Sequence, residues 1–385
     1  MFPKSDAPHS SPFLRPLGFG LLVLLPVAGL AEERTRRVDI VKRQPGFVAF
    51  WDFVERDPAD RRFTAHQPKG SRWDFRLDAV NYVRDYWNEG RAATYDDFPL
   101  LGQGPFGDAI QIRNESDASF RPLLLVPRAR LHESGLDVKG PGRSVTLVAW
   151  VQWESGNHAI AGIWHEGTDH ATAAGPAARI ERGQRQYALF AGLAANRGAS
   201  AAHVSENGAS SFGDRYARNL SVTKRVMQPG RWHVVGMVFD NARNTVTSYL
   251  DGEAEEYWIE EPEKHPFFQW PARGWKAGEY RPPAGKFARI EAGELKALRA
   301  NSYWFPHDLY SPRDATSGGP FTIGRVIHMS RGVGTTGAIG GVAVYGKALS
   351  AKQMKALAAA TATGPISARK SPPDSTSRSS RAPAR

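Results

Sequence analysis

Apolar residues alternate with polar or small residues in several short segments between residues 46 and 360. In SVTLVAWVQW (144–153) one face of the alternation is wholly apolar: Val145, Leu147, Ala149, Val151 and Trp153. A period of two predicts a strand with a buried face. The segment WHVVGMVF (232–239) is apolar on both faces, which predicts an inner strand covered on both sides. Further short strands are predicted at 245–250, 321–324 and 338–345. This pattern indicates an all-β antiparallel sandwich.

Two helices are predicted near the end of the chain. In LSAKQMKALAAA (349–360), Ser350 is a typical N-cap and Gln353 completes a capping box, while Leu349, Met354 and Leu357 could pack on the sandwich. The segment EAGELKALRA (291–300) predicts a second, shorter helix. Residues 56–100 and 255–319 do not show strand patterns, and we interpret them as long, aromatic-rich insertions in the sandwich.

The two ends of the chain differ in composition from the middle. Residues 1–31 have basic residues before the apolar run 17–31, as in a cleaved signal peptide, and 15 residues are few for a bilayer, which needs about 20. Residues 32–45 are expected to be an N-terminal linker and 46–360 the sandwich domain. Residues 361–385, rich in Ser, Pro and Arg, predict a disordered basic tail. We therefore expect a secreted, periplasmic or cell-surface protein without a transmembrane helix in the mature chain.

Charge and cysteine content narrow the chemistry. The net charge is +11, of which the signal segment contributes +1 and the tail from residue 361 contributes +4, so +6 remains for residues 32–360. This excess is modest, and no specific nucleic-acid module is recognised. The chain has no cysteine, which excludes disulfides, thiol catalysis and thiolate metal sites. It also lacks the Gly-x-Ser-x-Gly motif of many hydrolases and the complete Gly-x-x-x-x-Gly-Lys-Ser/Thr motif of many nucleotide-binding proteins.

Five segments in order resemble a laminin-G-like jelly-roll domain of the concanavalin A-like lectin/glucanase superfamily: PGFVAFWDF (45–53), GPFGDAIQI (104–112), SVTLVAWVQW (144–153), GRWHVVGMVFDNARNTVTSYLDGE (230–253) and GAIGGVAVYGKALSAKQMKAL (337–357). The resemblance implies two packed antiparallel sheets of six or seven strands, often in secreted proteins that bind carbohydrate or other extracellular polymers. Members commonly have an Asp-Glu pair where this chain has Gly340 and Gly341, so no role of those acids is carried over.

Acids stand at every second position in Asp251-x-Glu253-x-Glu255. This spacing resembles that of the catalytic acids in the glucanases of the same superfamily. Here, however, Asp251-Gly252 is a hairpin-turn signal, so we interpret the stretch as a solvated turn. A glycoside hydrolase or lyase of the same fold remains an alternative. Its acids would then lie in the second insertion, opposite His307 or Asp308: Glu260, Glu261, Glu291 or Glu294.

We expect the insertions to form the ligand-binding site. Sugar rings stack on aromatic side chains and hydrogen bond to neighbouring polar groups, and the second insertion combines both kinds of residue. The candidate ligand-binding residues are Trp270, Trp275, Tyr303, Trp304, His307, Asp308 and Tyr310. A hydrophobic cluster that pins the loop to the sandwich is the competing interpretation. Asp240, Asn241 and Asn244 are candidate calcium ligands, although the same residues are typical of a turn, which we prefer.

The preferred function is a non-catalytic protein that binds an extracellular glycan or cell-envelope polymer. The hydrolase or lyase is the first alternative, and a structural or adhesion component of the cell envelope is the second. The oligomeric state is not indicated by any of these features.

Overall fold

The computed structural model describes residues 27–367 except 114, 156–158, 167–183, 193–196, 209–218, 315–317, 329–330 and 333. Residues 1–26 of the predicted signal peptide 1–31 and residues 368–385 of the predicted tail 361–385 lie outside the described residues. The described helices are α1 (Val27–Lys42), α2 (Tyr82–Trp87), α3 (Arg128–Leu131), α4 (Gln269–Ala277) and α5 (Ala351–Ala359). None of them is both long and apolar enough to cross a membrane.

The described strands, in chain order, are β1 (Phe47–Trp51), β2 (Asp78–Asn81), β3 (Gln103–Gly104), β4 (Ile110–Ile112), β5 (Pro122–Val126), β6 (Val145–Ser155), β7 (Ala159–His165), β8 (Gln184–Ala191), β9 (Ala199–Val204), β10 (Asn219–Val226), β11 (Trp232–Asp240), β12 (Thr245–Leu250), β13 (Tyr257–Glu260), β14 (Ala288–Glu291), β15 (Glu294–Asn301), β16 (Tyr303–Trp304), β17 (Phe321–Ile323), β18 (Thr336–Tyr345) and β19 (Ile366–Ser367).

Two antiparallel seven-stranded sheets form the sandwich, which confirms the predicted all-β fold. The first sheet has the order β1-β18-β6-β11-β12-β16, with β4 also paired to β18, and the second has the order β10-β9-β8-β7-β17-β5-β2. Their facing sides enclose the main core. The stacked rings of Trp51 and Phe321, with centroids 5.3 Å apart, join the two sheets within this core. Strand β11 lies between β6 and β12, as its two apolar faces predict.

The outer face of the first sheet is also buried, because α1 and α5 pack on it. Val148 and Val234 of the sheet belong to a second apolar cluster together with Met354 and Leu357 of α5, and α1 contributes Val41 to it. Helix α5 begins with the predicted capping box between Ser350 and Gln353. This cover explains why β11 carries apolar residues on both faces.

The folded unit extends beyond the predicted limits 46–360 at both ends. The expected linker 32–45 forms most of α1, and the buried guanidinium of Arg37 donates hydrogen bonds to the carbonyls of Pro105 and Gly364, both at 2.7 Å. Residues 361–367, expected to begin the tail, form a segment whose strand β19 pairs with β3. Burial of a charged side chain that satisfies backbone acceptors from distant parts of the chain is not visible as a local sequence pattern.

The predicted helix at 291–300 is wrong. This segment forms the β14–β15 hairpin, whose turn residues Ala292 and Gly293 both have positive φ. Pairing of β15 with β13 completes a small three-stranded sheet within the second insertion. The helix-favouring residues Glu, Leu, Lys and Ala are thus overridden by the turn and by strand pairing. The first insertion likewise contributes a strand, β2, to the edge of the second sheet.

Candidate functional site

A pocket of about 710 Å³ opens on the outer side of the first sheet, beside the C-terminal end of α5. Its walls come from β6, β11, the turn after β12, α5 and the segment 361–365. We call it the Trp232 pocket and define it by the residues that carry its polar and aromatic character: Gln103, Gln152, Arg231, Trp232, Asp251, Glu253 and Lys355.

The aromatic wall of the pocket is the half-buried ring of Trp232. This residue begins β11 and pairs with Gln152 of β6. A Cβ atom at position 340 would lie 3.0 Å from Trp232 Cζ3 and 2.4 Å from Pro105 Cδ, so a glycine at 340 makes room for both rings. The register of β18 shifts between Ile339 and Gly341, as at a β-bulge. The bulge and the missing side chain together let Trp232 pack against the strand.

The neighbouring Gly341 has a related role. A Cβ at this position would lie 3.0 Å from Phe106 Cε2 and 3.1 Å from Trp150 Cε3. The indole of Trp150 is buried and donates a hydrogen bond to Thr361 Oγ1 at 3.1 Å, which holds the segment after α5 against the sheet. Gly340 and Gly341 therefore make room for the aromatic rings that form one wall of the pocket and that hold the segment after α5 on its far side.

Polar groups surround Trp232. The amide of Gln152 donates a hydrogen bond of 2.6 Å to the carbonyl of Gly230, and the side chain of Gln103 is exposed at the rim. The carboxylate of Glu253 accepts a hydrogen bond of 2.8 Å from Lys355 Nζ. Amide and carboxylate groups at a pocket edge can bind several hydroxyls of one ligand, since they offer both donors and acceptors.

A histidine and an aspartate form a second polar feature in the wall. His233 Nε2 lies 2.9 Å from the backbone N–H of Gln228, which must be the donor, so Nε2 is unprotonated and Nδ1 carries the hydrogen. That Nδ1–H donates to Asp251 Oδ2 at 2.8 Å, and Asp251 Oδ1 accepts from the N–H of Val234 at 2.9 Å. Both ring nitrogens of His233 are therefore engaged within the protein.

The turn that carries Asp251 has the predicted hairpin form. Asp251 and Gly252 have φ values of 53° and 78°, and Leu250 and Glu253 exchange two backbone hydrogen bonds across them. A Cβ on Gly252 would lie 2.9 Å from the Cα of Lys355, so the turn lies directly against α5. Asp251 and Glu253 are exposed, as expected of a solvated turn, but the turn also packs against α5, so its acids form part of a pocket wall.

The electrostatics of this wall favour binding over acid catalysis. Burial would raise the pKa of Asp251, but the hydrogen bonds from His233 and from the Val234 N–H outweigh it, and the pKa is below its ordinary value. Asp251 is therefore ionised at neutral pH and cannot donate a proton to a leaving group. Glycoside hydrolysis needs one carboxyl with a raised pKa beside an ionised one. Because His233 Nε2 is already bonded, the His233-Asp251 pair also lacks an exposed base.

The aromatic residues of the second insertion divide into two groups. Tyr303 is 1% exposed, lies 6.1 Å from the stacked ring of Tyr280, and contacts Phe268, so it belongs to the core that fastens the insertion to the sandwich. Trp304 is half-buried against Tyr280 at 5.3 Å. Both residues therefore fit the competing interpretation, in which a hydrophobic cluster holds the insertion against the sandwich.

Trp270 and Trp275 lie on α4 and are half-buried. An arginine lies over each ring: Arg273 is 4.7 Å from the centroid of Trp270, and Arg281 is 4.5 Å from that of Trp275. Such cation–π contacts occupy an aromatic face that a sugar would otherwise use.

The three remaining candidate residues, His307, Asp308 and Tyr310, follow β16. His307 and Asp308 are exposed, and His307 Nδ1 lies 2.9 Å from a carboxylate oxygen of Glu206. Tyr310 packs over Gly208, where a Cβ would lie 2.6 Å from its ring. The structure does not bring these residues into the Trp232 pocket.

The candidate calcium ligands form the turn between β11 and β12. Asp240 caps this turn by accepting a hydrogen bond of 3.2 Å from the Arg243 N–H, and Asn244 has a φ of 54°, in keeping with the preferred turn interpretation. The amide of Asn241 donates to Asp308 Oδ1 at 2.9 Å, which joins this turn to the second insertion.

Two other groups of acids and histidines converge among the described residues: Asp52 with Glu55 and His66, and His132 with Glu133 and Asp137. Each already contains a cation. Arg34 contacts Asp52 at 2.7 Å, and Arg128 binds Asp137 through both terminal nitrogens at 2.7 and 2.9 Å. Because a guanidinium supplies the positive charge that a metal ion would bring, we interpret both groups as structural ion pairs.

The acids proposed for a hydrolase do not face His307 or Asp308. Glu260 contacts Arg289 at 2.7 Å and Glu294 contacts Lys296 at 2.6 Å, while Glu261 pairs with Lys264. Glu291 is exposed in the hairpin. The hydrogen bond from Lys296 lowers the pKa of Glu294, whereas the general acid of a glycosidase needs a raised pKa.

Sequence reasoning missed Trp232, Gln103, Gln152 and Lys355 as site residues. Trp232 was interpreted only as the start of an apolar strand, and nothing local links it to Gln152 or to α5. One signal was present. Two glycines occupy consecutive positions of an otherwise apolar strand, and glycine within a strand often marks a close approach of another group.

A further pocket of about 470 Å³ lies on the outer face of the second sheet, beside α2. Tyr82, Tyr86 and Arg128 line it. The guanidinium of Arg128 is committed to Asp137, and Tyr82 is 1% exposed. This pocket therefore offers a ligand fewer accessible polar groups than the Trp232 pocket does.

No family model matches the chain, and no curated protein matches it. Among solved structures, it is similar to domain 4 of an extracellular arabinanase from Geobacillus stearothermophilus in complex with arabinotriose, at 11% identity and a TM-score of 0.41 over 82% of this chain and 100% of that one. The binding domain of Paraclostridial Mosquitocidal Protein 1 gives 10% identity and a TM-score of 0.38 over 83% and 52%. The Trypanosoma rangeli sialidase gives 10% and 0.37 over 86% and 38%. At these TM-scores no function is transferred from these proteins to the chain.

Proposed function

We propose that the protein binds a glycan in the Trp232 pocket and does not act on it chemically. The observation that carries this proposal is the packing of Trp232 against Gly340, which fixes a half-buried indole in a pocket of about 710 Å³ rimmed by amides and carboxylates. A sugar ring has an apolar face that stacks on an aromatic ring and hydroxyls that bind such groups. The ionised state of Asp251 and the engaged nitrogens of His233 support binding without hydrolysis.

Two finer parts of the proposal rest on the sequence. The order of the strand segments supports assignment to the laminin-G-like domains of the concanavalin A-like superfamily. The basic and apolar start of the chain supports export, with the glycan outside the cytoplasm.

The test is binding of the full-length chain to a glycan array, followed by affinity electrophoresis in the polysaccharides that score. We expect saturable binding that Trp232→Ala weakens by about tenfold or more, because stacking and burial of an indole contribute more than about 1.4 kcal/mol. Trp258→Ala is the matched control. Trp258 is also half-buried, has Arg289 4.5 Å from its ring, and lies outside the pocket.

Three outcomes would contradict the proposal. One is the absence of glycan binding by the folded chain, and another is a folded Trp232→Ala variant that binds as tightly as the parent. The third is release of reducing ends from a bound polysaccharide above the rate without protein, which would favour the hydrolase alternative.

A further inference from the structure

A second groove adjoins the Trp232 pocket and shares Glu253 and Lys355 with it. It has a volume of about 650 Å³ and lies between β12, the small three-stranded sheet and the first turns of α5. Five cationic side chains and a single carboxylate line it: Arg243, Lys286, Arg299, Lys352, Lys355 and Glu253. We call it the basic groove.

The positive charges of this groove are only partly neutralised within the protein. Lys355 contacts Glu253 at 2.8 Å, and Arg299 contacts Glu256 at 3.2 Å. Across the described part of the chain, no carboxylate lies within 4.0 Å of the terminal nitrogen of Lys286 or Lys352, and both side chains are exposed. The guanidinium of Arg243, 82% exposed, is 3.6 Å from Asp240. An anion in the groove would thus meet cations whose positive charge is only partly balanced by carboxylates of the protein.

The floor of the groove carries hydroxyl groups. Thr245, Thr247 and Tyr249 alternate along β12 and line the groove, so all three point to the same side of the strand. The hydroxyl of Thr247 donates a hydrogen bond of 2.7 Å to Ser302 Oγ. Hydroxyls between cations suit a ligand that alternates charged groups with neutral, hydroxyl-bearing ones.

We propose that the ligand is an acidic polysaccharide, whose neutral part binds in the Trp232 pocket and whose carboxylate or sulfate groups bind in the basic groove. This inference rests on the proposed function, since it extends the same bound chain past the Glu253–Lys355 ion pair. The charge distribution indicates which part of the polymer binds in the pocket and which part binds in the groove. In the Trp232 pocket the carboxylates of Asp251 and Glu253 are balanced by Arg231 and Lys355. The basic groove has five cationic side chains for one carboxylate, so an anionic group is attracted to the groove more strongly than to the pocket.

A nucleic acid fits this surface less well than an acidic polysaccharide. Duplex DNA carries one negative charge per roughly 1.7 Å of its axis. A duplex that lies across the Trp232 pocket and the basic groove would therefore place phosphates beside Asp251 and Glu253. A polysaccharide with one acid group per sugar or fewer places its charges farther apart than the duplex does and leaves neutral surface between them. An aromatic pocket with balanced charges beside a basic groove is therefore matched by the polymer with the more widely spaced charges.

The test uses the full-length chain and two matched pairs of polymers. Polygalacturonate is compared with its carboxyl-reduced form, and dextran sulfate with dextran, at about 50 and 200 mM salt. The variant is Lys286→Gln with Lys352→Gln. The control is Lys42→Gln with Lys69→Gln, which removes the same charge from two exposed lysines outside both grooves.

We expect an acidic polymer to bind at least about tenfold more tightly than its neutral partner. This difference in affinity, which we call the gap, should narrow at the higher salt concentration. The groove variant should lose most of this gap and keep its affinity for the neutral polymer, while the control variant should keep the gap. The pair that shows the gap identifies carboxylate or sulfate as the bound group.

The outcomes separate this inference from the proposed function. Equal binding of acidic and neutral polymers, both lost in Trp232→Ala, would overturn the inference and leave the proposed function intact. A gap that depends on the two lysines but not on Trp232 would support the groove and overturn the proposed pocket. Binding of a single-stranded DNA oligonucleotide tighter than either acidic polymer would overturn the choice of ligand, and binding of no polymer would overturn both proposals.

Discussion

The ring of Trp232 occupies space that a side chain at position 340 would need. A Cβ on Gly340 would approach Trp232 Cζ3 to 3.0 Å and Pro105 Cδ to 2.4 Å. Both distances are shorter than ordinary van der Waals contacts between carbon atoms, so one of the rings would have to move. This relationship links the glycine pair of β18 to the aromatic wall of the proposed glycan site.

The first prediction follows from this contact. Gly340→Ala should lower the free energy of unfolding by about 1–3 kcal/mol through overpacking and should weaken glycan binding, because Trp232 or Pro105 is displaced. Urea denaturation and affinity electrophoresis measure the two effects. Gly346→Ala is the control, since a Cβ there lies no closer than 3.7 Å to another group. An unchanged affinity in a destabilised Gly340→Ala variant would show that the packing matters for stability alone.

The second prediction concerns the Asp251–His233 pair. Asp251→Asn keeps the turn, because asparagine tolerates a φ of 53°, but removes the charge that accepts the His233 Nδ1–H. The variant should be less stable by about 1 kcal/mol at neutral pH. The pKa of Asp251 is lowered by folding, so its contribution is present above about pH 4 and is lost as the pH falls through the folded-state pKa.

Urea denaturation of parent and variant from neutral pH to about pH 3 tests this pair, with the difference between the two proteins as the readout. The difference should shrink below about pH 4, where the Asp251 carboxylate of the unfolded parent becomes protonated while that of the folded parent, with its lowered pKa, is still ionised. A difference that stays constant over this range would mean that the charge of Asp251 does not stabilise the fold.

The sandwich could be predicted because its signals are local. The alternation in β6, the two apolar faces of β11 and the capping box at Ser350 each depend on residues within one element, and the structure reproduces all three. The helix predicted at 291–300 failed because a turn at Ala292-Gly293 and pairing with β13 outweigh helix propensity. Such pairing involves residues about 40 positions away, where local pattern carries no information.

The sequence predicted the chemical character of the candidate site but not its position in the fold. An aromatic residue surrounded by polar groups was expected, but the sequence placed it in the second insertion, where Tyr303 turns out to be core. The Trp232 pocket joins side chains from β3, β6, β11, the turn after β12 and α5. Their proximity results from sheet order and from the docking of α5, and neither is encoded near Trp232 in the chain. The expected acids Asp251 and Glu253 were identified correctly as turn residues, yet their position against α5 makes them part of the wall.

The third prediction tests how α1 supports the pocket. Arg37 is 1% exposed and donates to the carbonyls of Pro105 and Gly364, two residues that line the pocket. Arg37→Met leaves these acceptors without their donor and should cost about 2–4 kcal/mol of stability. Arg43→Met, on an exposed side chain at the end of the same helix, should cost less than about 0.5 kcal/mol.

Hydrogen exchange of residues 361–367 provides the local readout for Arg37. In Arg37→Met, the amide of Ile366 and its neighbours should exchange faster than in the Arg43→Met control, because the segment is then held mainly by β3 and Trp150. Unchanged exchange in this segment would show that Arg37 does not fasten it.

The fourth prediction is a pH dependence of α1. Hydrogen bonds from Arg36, opposed by burial and aided by Arg37, lower the pKa of Glu33 to about 2. A lowered pKa means that Glu33 stabilises the folded state above about pH 4.3 and stops doing so as the pH falls towards 2. Because Glu33 is near the surface, screening reduces the effect to about 1 kcal/mol.

Comparison of the parent with Glu33→Gln in urea checks this pH dependence. The variant should be less stable at pH 6 and as stable as the parent near pH 2, where Glu33 of the parent is half protonated and approaches the state of the amide. Equal stability of the two proteins at pH 6 would contradict the expected role of Glu33 in holding Arg36 and Arg37.

The last prediction decides between the insertion and the Trp232 pocket as the place where a glycan binds. Tyr303→Ala removes a buried ring between Tyr280 and Phe268 and should cost about 3–5 kcal/mol of stability. Trp270→Ala removes a half-buried ring with Arg273 over its face and should cost less. Measured on the folded fraction, both variants should bind a glycan as tightly as the parent, because neither residue lines the pocket. A stable Trp270→Ala variant that has lost binding would instead place the ligand on α4, as the sequence alone suggested, and would leave Trp232 a purely structural role.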